Sequence, residues 1–441
     1  MTKLKVSAAI LALAALSGCG VFKGSGGKNT PVLGERVPVL STESSIAADE
    51  TIANVPVTVP AETANSDWTQ SGGNAAKVMG NLALAPQLNS AWTASIPGST
   101  SRERLAAAPI VADGKLYVMG VEGKVHSFDA ATGNELWAVS TASSDDQEKR
   151  AIFGGGVSYE NGQLYATNGL GDVVAMNASD GSVIWRKKPG GPLRGAPTLA
   201  NGNVYVLSQD NQLFALSQLS GDVVWNQSGS LESQGVFGVA APAAARGSVV
   251  AGFSSGELNA YRYENGATLW GDTLSRTSIS TSVSSLADID ADPVIDGDEV
   301  FAIGEGGRMV ALDILSGRRL WEQNLSGIKT PWVAGNWIYV MASDAKLLCI
   351  ARDSGKIRWI AQLPGYRNEK KKKNPIYWSG PVMAGGQLYV VSSRGAMTTV
   401  DPTSGTIGGT RDLGQSFSLP PIVANNSMYT LSDDGRITAF R

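Results

Sequence analysis

The sequence predicts an all-β fold, an eight-bladed β-propeller of four-stranded antiparallel blades whose ring is closed by an N-terminal strand. Three observations predict it. A Gly-x-x-x-Trp signature recurs along the chain; short alternating strands and turns lead up to each copy; and the last unit runs out one strand short while a spare strand stands near the beginning. The copies are "GNELW" ending at Trp137, "GSVIW" at Trp185, "GDVVW" at Trp225, "GATLW" at Trp270, "GRRLW" at Trp321 and "GKIRW" at Trp359, followed by a degenerate "GTIGG" ending at Gly409. Four strands in a repeating unit of roughly 45 residues is the pattern of a propeller blade.

The elements follow in chain order. Lys3 and Lys5 precede an apolar run from Val6 to Leu16, too short to span a bilayer and suited to an export signal. "LSGC" at 16–19 resembles a bacterial lipobox, which implies a signal peptide over 1–18 and acylation of Cys19, with Gly20 after it pointing to the outer membrane. The only other cysteine, Cys349, then has no partner, so an exported chain would be held by its core rather than by disulfides. Residues 19–65 are expected to form an extended tether, because the stretch from Lys23 to Asp67 lacks aromatics and is rich in Pro, Ser, Thr, Ala and Val. A flexible chain of that length has a root-mean-square span on the order of 35 to 40 Å.

The propeller is expected over 66–441. "LNSAWTASIP" at 88–97 carries Trp92 where a repeat Trp belongs, and it supplies the strand missing from the final unit, "PPIVANNSMYTLSDDGRITAF". Each blade opens on a short strand with Pro near its start, as in "AAPIVA" at 107–112, where a missing N–H is tolerated. The repeat tryptophans are expected to fill the wedges between neighbouring sheets.

Composition narrows the function. A net charge of −3 with no interleaving of basic and aromatic residues gives no reason to expect a nucleic-acid partner. His126 is the single histidine, so no multi-histidine metal site can form, and no nucleophile elbow, Walker loop or HExxH occurs. "FGGGV" at 153–157 lies between strands and reads as a turn. The acids Asp288, Asp290, Asp292, Asp296 and Asp298 lack the glycine and closing glutamate of a calcium loop, so no metal is expected there.

Spacing locates a binding face. From Trp92 the intervals between signatures are 45, 48, 40, 45, 51 and 38 residues, then 50 to Gly409, and the three longest gain their length between one blade and the next. These connections share one face of the ring, and inserts gathered on one face of a repeat protein mark a binding surface. One insert carries the run Lys370 to Lys373, flanked by Tyr366, Tyr377 and Trp378.

The repeats, with "DWTQSGGN" at 67–74, resemble the tryptophan-docked repeats of quinoprotein dehydrogenases over nearly all of 66–441. The lipobox, the tether, the single ring and the stretch beginning "LADID" at 286–290 are more similar to a non-catalytic branch of that repeat family, the BamB lipoproteins of the outer-membrane β-barrel assembly (BAM) machinery. That resemblance implies a scaffold rather than an enzyme, without cofactor or metal, on the periplasmic face of the outer membrane. Its implied partners are the periplasmic domains of BamA and other members of the complex, and unfolded outer-membrane proteins remain open as a further partner. Two family acids that help bind BamA fall on Asp288 and Asp290. A second family contact, a leucine-rich stretch ending in arginine, aligns with "QGVFGVAAP" at 234–242, where Val236 and Phe237 offer an apolar part and no arginine stands. The alternative is a quinone (PQQ)-dependent dehydrogenase of the same fold. Against it stand the shorter chain, the lipid attachment and the absence of an adjacent cysteine pair.

Overall fold

The computed structural model of the chain describes residues 46–142, 153–231, 238–274 and 287–441. Within them lie eight four-stranded antiparallel sheets. Blade 1 comprises Ile110–Ala112, Lys115–Met119, Lys124–Asp129 and Glu135–Ser140, from the ring axis outward, and blades 2 to 7 repeat this order. Blade 8 is the shared one. Its three inner strands are Ile422–Ala424, Ser427–Leu431 and Arg436–Phe440, and its outer strand is Ser90–Ser95, paired antiparallel with Arg436–Phe440 as expected.

The repeat signature turns out to be a two-part joint. Each repeat Trp lies over the signature glycine of the following blade: Trp92 over Gly133, Trp225 over Gly266, Trp270 over Gly317 and Trp359 over Gly405, where an added Cβ would stand 2.5–2.7 Å from the indole. Those glycines have φ between 68° and 76°, the left-handed region, so both the turn and the close approach require them. The indole N–H then donates into the same following blade, from Trp270 to Ile314 O at 2.7 Å and from Trp359 to Pro402 O at 3.0 Å. The degenerate seventh copy follows from this geometry. Blade 8 takes its outer strand from the N-terminal side of the chain and has no signature glycine to receive a ring, so position 409 needs no Trp.

The second lock was not expected. Residues 65–85 circle the axis and bond to the innermost strand of every blade in turn. Asn65 O accepts from Asn425 N (2.7 Å), Trp68 pairs with Val111, and Thr69 O accepts from Tyr159 N (2.9 Å). Gln70 bonds both ways with Leu199, and Ala75 O and Ala76 O accept from Ala244 N and Ile295 N. Gly80 O accepts from Trp332 Nε1, and Leu82 bonds with Met383 O and Gly385 N. These contacts lie toward the turns that join first and second strands, so this belt closes one end of the channel.

The expected tether boundary at 65 therefore moves. Residues 46–65 are packed on the ring: Asp49 N donates to Ile357 O (2.8 Å), Lys356 Nζ to Thr51 Oγ1 (2.7 Å) and Arg358 Nε to Val55 O (2.8 Å), all on the outermost strand of blade 6, Ile357–Gln362, or beside it. Low aromatic content reads as a loose chain, yet this segment is held by backbone and side-chain hydrogen bonds that need no aromatic ring.

Candidate functional site

A cavity of about 360 Å³ lies on the axis. The belt supplies its floor with Trp68, Ser71 and Lys77, and the starts of the inner strands form its walls. Trp68 stacks on Trp332 of blade 6, with ring centroids 6.1 Å apart. Lys77 is 3% exposed and donates to Thr198 Oγ1 at 3.1 Å. Burial pushes its pKa down to about 8, with the nearby Asp292 pulling it back toward the usual range. At the other end, where the inter-blade connections lie, the wall is built around a buried charge cluster.

Arg194 precedes the first strand of blade 3 and is 1% exposed. Its Nη2 reaches past the blade 4 connection to that of blade 5, donating to Asp288 Oδ1 and Asp290 Oδ1, both at 2.9 Å, and contacting Ile289 O at 3.4 Å. Gly238 makes the passage possible: a Cβ there would fall 1.8 Å from Arg194 Nη2 and 2.0 Å from Asp290 Oδ1. The acidic loop is pinned from behind, because Ile289 is fully buried, Asp288 O accepts from Glu305 N, and Ile289 N donates to Phe253 O. Burial, and then the neighbouring Asp288, raise the Asp290 pKa to about 6 although Arg194 opposes them. A buried ion cluster of this kind is weak as a source of stability but severe when broken, since a lone charge is left in a poorly solvated site.

The structure relocates several sequence expectations. Asp288 and Asp290, which the family resemblance implies help bind BamA, are not surface carboxylates: their side chains are 2% and 12% exposed and both pair with Arg194. The arginine that pairs with both lies in "GGPLRGAP" at 190–197, two blades earlier than the loop, with Leu193 beside it. The signal was present as a lone charge between glycines. Nothing local ties it to an acid 94 positions away. The five acids of the 288–298 stretch diverge: Asp292 accepts from Ala241 N and Ser71 Oγ, Asp296 pairs with Arg352, and Asp298 with Arg246. Among the described residues no group of acids, histidines and cysteines is arranged to hold a metal. His126 is pinned between Glu122 (2.9 Å) and Glu135 (2.8 Å), and although burial pulls its pKa down, those two bonds leave it above the ordinary value. Cys19, Val236 and Phe237 lie outside the described residues. Lys370 to Lys373 form the exposed tip of a hairpin.

Among the described residues, the axial cavity offers no unengaged acid to the metal of a quinone cofactor. The acids lining it are engaged, Asp290 by Arg194, Asp292 by Ala241 N and Ser71, and Asp433 by Ser416 Oγ and Ser418 N. Cys349 sits in the third strand of blade 6, fully buried, and burial pushes its thiol pKa well up.

Eight blades, tryptophan-on-glycine joints and an axial cavity floored by the belt define the chain as a propeller of the tryptophan-docked repeat class. The family model described as Outer membrane protein assembly factor BamB matches residues 32–152, 121–361 and 368–441, and the chain belongs to that family. It is 28% identical over 350 residues to the Outer membrane protein assembly factor BamB of Shigella dysenteriae, covering 79% of this chain and 87% of that one. The protein of the same name from Burkholderia pseudomallei is 27% identical over 356 residues, with the same coverage. Among solved structures, BamB from Moraxella catarrhalis matches with a TM-score of 0.65 at 19% identity, over 80% of this chain and 97% of that one. A europium-containing methanol dehydrogenase matches with 0.66 at 15%, over 83% and 89%. At those identities the two structures show a shared fold and nothing more.

Proposed function

We propose that the chain is an assembly scaffold of the outer membrane: a lipoprotein acylated at Cys19, held at the periplasmic face, that docks the connection face of its ring on the periplasmic domains of BamA and supports insertion of outer-membrane proteins without catalysing a reaction. The names carried by its relatives support the assembly role and the membrane setting. One observation carries the docking face, the Arg194–Asp288–Asp290 cluster. It ties the connections of blades 3 and 5 together across Gly238 of blade 4, so the rim of the cavity is preorganised where inter-blade inserts lie. Val236 and Phe237 directly precede Gly238 and are the apolar candidates for the contact itself. The aspartates act from beneath by holding that rim.

The test is capture of BamA's purified periplasmic domains. Asp290→Asn keeps the side chain's shape while removing one of the two charges on Arg194, and it should weaken capture about tenfold, the effect of losing a charge-assisted hydrogen bond worth about 1.5 kcal/mol. Val236→Ser with Phe237→Ser should weaken it further, with unchanged circular dichroism in both variants. Full capture by both would place the contact on another surface.

A further inference from the structure

The insert between blades 6 and 7 is a built hairpin rather than a loose loop. Tyr366–Asn368 pairs with Lys373–Pro375, and a short 3-10 turn, Glu369–Lys371, joins them. Asn368 caps that turn by accepting from Lys371 N at 3.0 Å, and Lys372 closes it in the left-handed region. The base is fastened as well: Ile376 N donates to Gly365 O (2.8 Å), Trp378 Nε1 to Pro364 O (2.9 Å), and Tyr377 N to Ser393 Oγ (3.0 Å). Glu369, the only acid in the insert, folds its carboxylate back onto Gly365 N and Tyr366 N. What the hairpin presents is Arg367 and Lys370 to Lys373, all exposed, with no ion pair formed at any of them among the described residues. Arg394, in the turn fastened to Tyr377, is exposed, and Tyr377 itself is 66% exposed.

The position of the hairpin is informative. It grows from the end of Ile357–Gln362, and the beginning of that same strand receives the N-terminal segment at Asp49, Thr51 and Val55. A six-residue strand is about 20 Å long, so the chain arrives on the ring within about that distance of the hairpin's base.

We propose that the 366–375 hairpin is a second membrane contact, which sets its lysines on an anionic phospholipid surface at the same blade that receives the N-terminal segment. Lysine ammoniums are compact point charges that do not demand the planar, two-pronged match of arginine. A projecting tip of four of them suits a diffuse layer of phosphates, to which each contributes separately, and Tyr377 supplies an amphipathic ring for the interface. Prior ordering of the hairpin removes much of the entropy lost on contact. The proposal takes its setting from the membrane-anchored reading above, and its test does not use the anchor.

The chain from residue 19 onward, with Cys19→Ser so that no acyl group is present, is sedimented with vesicles of phosphatidylcholine alone and of phosphatidylcholine with phosphatidylglycerol. Wild type should bind only the anionic vesicles, more weakly as salt rises. Replacing Lys370 to Lys373 with Gln should reduce that binding at least a hundredfold and leave capture of BamA's periplasmic domains unchanged. Equal vesicle binding by wild type and the lysine variant, or no binding by wild type at low salt, overturns the proposal. Loss of BamA capture by the variant without any vesicle binding by wild type would assign the hairpin to a protein partner instead. If unmodified Cys19 proves not to be acylated in membranes, the anchor fails while the vesicle result still decides the hairpin.

Discussion

The two faces of the ring are secured in different ways. On the belt face, residues 65–85 make a small hydrogen-bonded contact at each of the eight blades, through backbone groups except for the Gln70 amide at blade 3 and the Trp332 indole at blade 6. On the connection face, one side chain, Arg194, joins the links of blades 3 and 5 through a single buried nitrogen. Distributed neutral hydrogen bonds are each worth about 1 kcal/mol and fail gradually; a buried charge cluster fails at once when one member goes. The belt face is therefore suited to holding the ring shut, and the connection face to being altered locally by sequence change.

Removing the belt should have the largest effect. A chain beginning at Leu88 retains Ser90–Ser95 for blade 8 but loses its contacts to all the inner strands, and it should unfold in urea at a much lower midpoint and with a shallower transition than a chain beginning at Ile46. An unchanged midpoint would show that Trp joints and the closing strand suffice, and the contrast between faces would collapse.

Arg194→Ala comes next. It leaves Asp288 and Asp290 buried without their cation and should cost about 3–5 kcal/mol, read as a lower melting temperature. Arg194→Met combined with Asp288→Asn and Asp290→Asn should recover most of that loss, because no isolated charge remains. If the triple variant is as unstable as Arg194→Ala, packing of the arginine stem rather than charge holds the rim.

The smallest effect is a pH slope. Asp290 titrates near 6 when folded, above its ordinary 3.8, so between about pH 4 and pH 6 the folded chain holds a proton that the unfolded chain has lost. Its contribution favours the fold below that window and is lost as pH rises through it. Asp290→Asn should remove this term, so that the variant gains on wild type by roughly 1–3 kcal/mol between pH 4.5 and 7.5. A parallel shift of both proteins in urea melts at the two pH values would place the carboxylate in an unperturbed setting.

How much was legible in the sequence depended on whether a contact repeats. Gly133, Gly181, Gly221, Gly266, Gly317 and Gly355 each stand four residues before a Trp, and the stacking of a Trp on the next blade's glycine recurs from blade to blade, so periodicity exposed the blade count and the closing role of Ser90–Ser95. Even the failed copy at Gly409 was informative, since it precedes the one blade whose outer strand comes from elsewhere in the chain. Long inter-blade links were visible as spacing, and the site's acids as a cluster. Their burial was not visible. An Asp in "LADID" and an Arg in "PLRGAP" look like surface turn residues, because polarity predicts exposure until a partner is known.

Sequence alone thus determined the class of fold, its closure and the face that carries the inserts, all of which rest on local, repeated preferences of strand, turn and ring. Only the tertiary structure decided that Arg194 meets Asp288 and Asp290 across Gly238, and that residues 46–85, of which 46–65 read as a loose tether, run along blade 6 and around the axis. Those contacts happen once each, between residues dozens to hundreds of positions apart. A single long-range pairing has no period, and its energy depends on a burial that exists only after the blades have closed.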